Sequence, residues 1–145
     1  MVEKYLWLVY ALLAAVSAAL VAIFGKIGLK GIDSNAATAI RGVIMALFLC
    51  GVVVAQNKTG LVNEIMTNYK ALTFICLSGI AGALSWIFYF LALKHGEVSK
   101  VAPVDKLSVV FAIVIAVLFL GEKLSWIAGV GAVLLTTGVV MLALG

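Results

Sequence analysis

The residues able to do chemistry are few, and they fall at awkward places. Arg41 stands directly before an uncharged run at residues 42–56, and Asp105 and Lys106 stand directly before another at residues 107–121, each run being 15 residues long. An arginine presents a planar fork of N–H donors suited to a carboxylate or phosphate. An aspartate can pair with such a group or exchange a proton. Pro103 lies two residues ahead of Asp105 and would kink a helix wherever it falls beyond the first turn. A second group lies between them. Ser78, Gly82, Ser85, Tyr89 and Ala92 share one helical face, with Trp86 beside Ser85. Apolar walls with a few hydroxyls suit a ligand cavity, and they equally suit a packed seam.

The elements that position these residues follow from composition. The chain has 145 residues, 66% hydrophobic and 11% charged, with a mean hydropathy of +1.28. Soluble domains carry roughly 25% charged residues, so lipid is the solvent this composition fits. Residues 5–25, 71–93 and 124–145 are each free of charge over more than 20 positions, enough to cross a bilayer. The two 15-residue runs reach only about 22 Å as helices. To cross, the second helix must start near Asn35 and include Arg41, and the fourth must start near Val98 and include Asp105 and Lys106. A charge there costs several kcal/mol unless it is paired, hydrated or snorkelling.

The expected fold is an all-α membrane protein: one domain over residues 1–145, a bundle of five transmembrane helices at about 5–25, 35–56, 71–93, 98–120 and 124–144. Asp33 or Ser34 would cap the second helix. The 57–70 connection carries Leu61, Ile65, Met66 and Tyr69 at helical spacing and should hold a short interfacial helix. His95 reads as helix-ending chemistry. Small residues recur as stripes, Ala11, Ala15, Ala18, Ala22 and Gly25 in the first helix and Ala39, Gly42, Ala46 and Cys50 in the second. The fifth helix carries Ala128, Gly131 and Gly138. Stripes of this kind mark close helix approach in lipid.

Three roles compete for the intramembrane charges. Asp105 could be a structural charge near a helix start, with Pro103 in the first turn. Arg41 and Asp105 could form a buried pair, since both lie about 9–10 Å in from the same membrane side. Alternatively Asp105, Lys106 or Arg41 contacts substrate or carries a proton. Lys106 is about 100° round the helix from Asp105 and need not share its partner.

The sequence holds no phosphate-binding glycine loop, no H-E-x-x-H and no G-x-S-x-G motif, and no metal spacing of Cys or His. The reading is therefore a non-enzyme without cofactor or metal, and uphill transport would draw on an ion gradient or solute exchange. The net charge of +4 is spread as single residues, which argues against nucleic acid as a partner.

The segment Ala92-Leu93-Lys94-His95-Gly96-Glu97-Val98-Ser99-Lys100-Val101-Ala102-Pro103, an apolar helix, and then Phe119-Leu120-Gly121-Glu122-Lys123-Leu124-Ser125 resembles the EamA branch of the drug/metabolite transporter superfamily. Ala-Leu-Lys, Ser-x-Val-x-Pro and Leu-Gly-Glu are the recurrent marks. Most members have ten helices in two five-helix repeats, so this chain looks like one half. The resemblance implies a secondary transporter that exports a small metabolite or drug-like molecule through a cavity between two copies. Four-helix relatives use an acidic residue in the first helix; this sequence has none in that uncharged run, so that mechanism does not carry over. The other readings are a non-transporting membrane subunit and a lipid-headgroup flippase using Arg41 and Lys106.

The expected partners are the lipid bilayer, a small-molecule substrate and a second copy, in a multi-pass protein of the plasma membrane (the inner membrane of a Gram-negative cell). Alternating helices place Lys4, Lys58, Lys70 and Lys123 on one side and Lys26, Lys30, Lys94 and Lys100 on the other. The positive-inside rule needs an imbalance, and four against four gives none. Counting Arg41 and Lys106 as well gives six against four, a weak bias for an outside N-terminus. A chain so balanced can insert both ways, which leads to an antiparallel homodimer with inverted repeats. The alternative is a single-topology chain pairing in parallel or with a different half-size partner.

Overall fold

The computed structural model describes residues 3–145, with side chains from Tyr5 onward; the side chain of Lys4 lies outside the described residues. It is all-helical, and five helices are long and apolar enough to span a membrane: Tyr5–Gly28, Ser34–Ala55, Tyr69–His95, Val98–Phe119 and Trp126–Leu144. In chain order the elements are α1 (Glu3–Gly28), α2 (Ser34–Ala55), α3 (Thr59–Thr67), α4 (Tyr69–His95), α5 (Val98–Asp105), α6 (Leu107–Phe119) and α7 (Trp126–Leu144). Together α5 and α6 make the fourth span.

The helix ends show why the boundaries fall where they do. Asp33 is the N-cap of α2, its carboxylate accepting from the N–H groups of Asn35 and Ala36 at 3.0 and 2.9 Å. At the far end Asn57 takes a left-handed φ of 54°. There the N–H of Lys58 donates to the carbonyl of Val53, and that of Asn57 to Val54, both at 3.0 Å. This pairing closes a helix C-terminus with Asn in the place glycine usually takes. Ser125 caps α7 through a bond from the N–H of Ala128, which moves its start two residues beyond the expected 124. The 57–70 connection holds the expected short helix, α3, with Leu61, Ile65 and Met66, while Tyr69 belongs to the first turn of α4. Helix α1 runs three residues past the expected Gly25 and carries Lys26 in its last turn. The Lys26 ammonium donates to the carbonyl of Gly96 at 2.7 Å, so this cation is satisfied at the helix end.

The described residues group into two compact units, Gly28–Lys94 and a discontinuous unit made of residues 3–27 with His95–Gly145. In the discontinuous unit α7 packs against both α5 and α6. The buried hydrophobic side chains are Ala22, Leu29, Phe90, Leu93 and Val139. At Gly42, Gly131 and Gly138, members of the small-residue stripes, an added Cβ would meet no described atom within 4 Å. At these three positions the helix surface is therefore uncovered.

Candidate functional site

In the Gly28–Lys94 unit the site is built from α2 and α4. Arg41 lies seven residues into α2, roughly 10 Å from its start. Trp86 lies nine residues before the end of α4. The Arg41 guanidinium carbon sits 3.4 Å from the Trp86 ring centroid and 5.1 Å from that of Phe90. A cation over an aromatic face is attracted by the ring quadrupole, by about 0.5–1 kcal/mol when exposed and about 2 kcal/mol when desolvated. This contact answers how α2 carries a charge through an apolar segment: the flat face of the guanidinium rests on π-faces.

The aromatic residues hold one another. Trp86 meets Tyr89 edge-on at 5.7 Å and Phe90 at 5.6 Å, while Tyr89 and Phe90 are 6.3 Å apart. Positions three and four apart are neighbours on a helix surface, so the Trp86, Tyr89, Phe90 spacing makes one cluster. Phe90 is buried, 3% exposed, and pins the cluster on which Arg41 lies. Sequence reasoning missed Phe90. Its i+4 relation to Trp86 was the available signal, obscured because the hydroxyl-bearing face drew the reading to Ser85 and Tyr89.

The serines of that face are placed differently. Ser78 and Ser85 are both exposed on α4. Several other helical hydroxyls turn back to a carbonyl four residues earlier, as Ser17, Thr38, Thr73, Thr136 and Thr137 do at 2.7–2.9 Å. Ser78 and Ser85 have no such bond among the described residues.

In the other unit Asp105 and Lys106 pair with each other, Nζ to Oδ2 at 3.1 Å, with side chains 35% and 53% exposed. Adjacent residues on a continuous helix diverge by about 100°, but here the helix is divided. Pro103 sits in the second turn of α5, not the first, so the carbonyl four residues earlier lacks its usual donor. The chain then tightens, with Lys106 N–H donating to Pro103 and Val109 N–H to Lys106 at 2.9 and 3.1 Å. Asp105 is thus the last residue of α5 and Lys106 the joint before α6. That unit also has a pocket of about 270 Å³ by the α6–α7 turn, lined by Ala112, Ala116, Glu122 and Lys123 among others. Gly121 makes the turn at φ +67°, a conformation glycine adopts without strain. Arg41 and Asp105 belong to different units, and each has its partner within its own.

Five spans, a charge carried across an apolar helix on aromatic faces, and a divided fourth span are features of a multi-pass membrane transporter. The chain belongs to the EamA-like transporter family, whose profile matches residues 5–144. An uncharacterized transporter in the cobO 3' region of a Sinorhizobium species is 41% identical over 137 residues, covering 94% of this chain and 96% of that protein. An uncharacterized protein of Methanocaldococcus jannaschii is 27% identical over 101 residues, 70% of this chain and 71% of that one. No solved structure matches the chain.

Proposed function

We propose that the protein is a secondary transporter of the plasma membrane that exports a small metabolite or drug-like molecule, and that two five-helix copies form the working unit. The observation that carries this reading is Arg41: an ionised group inside a membrane span, stacked on Trp86. Intramembrane ionisable residues mark substrate or ion pathways, and aromatic walls with few polar groups suit a small ligand. Pairing is supported by the open space at Gly42, Gly131 and Gly138. It is also supported by the Sinorhizobium relative, which this chain covers nearly end to end and which is therefore also the size of one repeat. The balanced lysines favour an antiparallel pair.

Purified protein in liposomes, screened for solute flux with and without a pH gradient, tests transport. Selective flux lost in Arg41→Ala is the expected result; no flux for any solute class under either condition refutes it. Reporter fusions at the C-terminus test pairing. Both cytoplasmic and external populations are expected, shifting when two lysines are added to one loop. A single orientation insensitive to those lysines refutes the antiparallel arrangement.

A further inference from the structure

Stacking on Trp86 engages one flat face of the Arg41 guanidinium, and Phe90 lies farther off, 5.1 Å from its carbon. The guanidinium N–H donors point outward around the edge of the same plane, and within Gly28–Lys94 no described residue accepts a hydrogen bond from them. The two carboxylates of that unit are Asp33 and Glu64. Asp33 is engaged as the cap of α2, and neither forms an ion pair with Arg41 among the described residues. A guanidinium with one face held on a ring and no acceptor for its N–H donors within its unit is a fork set for a planar or tetrahedral oxyanion.

The surroundings select what else the ligand carries. The ring edges of Tyr89 and Phe90 lie beside Trp86, so the fork opens next to an aromatic wall with no acidic group of its own. In low dielectric an oxyanion gains more from the cation than it does in water, and an apolar body gains from the wall. Stacking on Trp86 holds the fork in one plane, which reduces the ordering cost of binding.

We propose that Arg41, Trp86, Tyr89 and Phe90 form a binding site for an oxyanion, carboxylate or phosphate, carried on an apolar body. Its role as a substrate site rests on the transport reading above; its existence as an anion site does not. Arg41 binds the oxyanion through its N–H edge, Trp86 positions Arg41, and Tyr89 and Phe90 face the apolar part.

The test is equilibrium binding to the full chain in phosphatidylcholine nanodiscs, with Trp7 and Trp126 replaced by Phe so that Trp86 is the reporter. The probes are 3-phenylpropionate and its neutral amide, 3-phenylpropionamide. The acid should shift Trp86 fluorescence saturably and bind about tenfold or more tightly than the amide, because hydrogen bonds to a charged group are the strong ones. Arg41→Gln should abolish the preference for the acid, and Arg41→Lys should keep part of it. The acid–amide comparison uses an unaltered Arg41 and holds even if the Arg41 variants fail to fold. Two further arms identify the source of the oxyanion. Displacement of the acid by inorganic phosphate assigns a soluble phosphate ligand, and displacement by phosphatidylglycerol in the nanodisc assigns a lipid headgroup. Equal binding of acid and amide, or no response to any of these anions, overturns the proposal. Anion binding without flux leaves the site standing and removes the transport reading; flux without an acid preference does the reverse.

Discussion

Arg41 and Asp105 occupy equivalent places in the sequence, each just ahead of a 15-residue apolar run, yet the two regions handle their charges differently. In the Gly28–Lys94 unit the cation crosses an apolar helix by stacking on Trp86 and Phe90, and α2 stays continuous for 22 residues. In the other unit the helix itself gives way. Asp105 ends α5, Lys106 forms the joint, and the two charges neutralise each other across it. A charge in a membrane span is thus accommodated either by its neighbours or by its own backbone. The first solution leaves donors available to a ligand; the second consumes both charges locally.

The largest effect should come from removing the stacked cation. Arg41→Ala should lower flux roughly tenfold or more, equivalent to about 1.4 kcal/mol, and lower thermal stability in detergent at the same time. Arg41→Lys should recover more of the stability than of the flux, since lysine keeps the charge but lacks the planar fork. Trp86→Leu should come next, with about 1–2 kcal/mol lost from the cation–π contact and aromatic pairs. Denaturant titration in mixed micelles measures it, and Trp86→Phe should lose less.

Changes in the second region should be milder. Asp105→Asn should keep the fold, changing stability by no more than about 0.5 kcal/mol because the pair is partly exposed. It should reduce flux by less than Arg41→Ala does; unchanged flux would remove Asp105 from the mechanism. The smallest effect should be Pro103→Ala. It returns a backbone donor and should leave stability level or slightly raised while letting α5 and α6 join. Spin labels at positions 99 and 113 would read the change as a narrower distance distribution.

Three of the five spans were legible because a run without charge longer than a bilayer is thick has few alternative folds in water or lipid. The second and fourth were legible only by extending 15-residue runs back through Arg41 and through Asp105 and Lys106. The capping role of Asp33 and the short helix α3 were legible for local reasons: an oxygen before a helix start, and apolar residues at helical spacing. The ends were less so. Helix α1 passes Lys26 because Gly96, seventy residues away, supplies a carbonyl for its ammonium, and no local pattern encodes that bond. The site was legible in part. Arg41, Trp86 and Tyr89 were singled out, but on separate grounds. Their meeting depends on how α2 faces α4, which Phe90 helps to fix and single-helix periodicity does not reveal. The Asp105–Lys106 pair was hidden for the opposite reason: the 100° argument assumes a continuous helix, and Pro103 undoes that premise.

The joint at Lys106 also divides the fourth span as a cooperative unit. A helix protects its amides as a run, because each hydrogen bond is held by those on either side. Across α4 that run is unbroken for 27 residues. In the fourth span it is cut into pieces of 8 and 13 residues, and the amides of Lys106 and Val109 are held by the tighter three-residue step. Hydrogen exchange should therefore begin at this joint and spread outward in both directions, long before the middle of α4 exchanges at all.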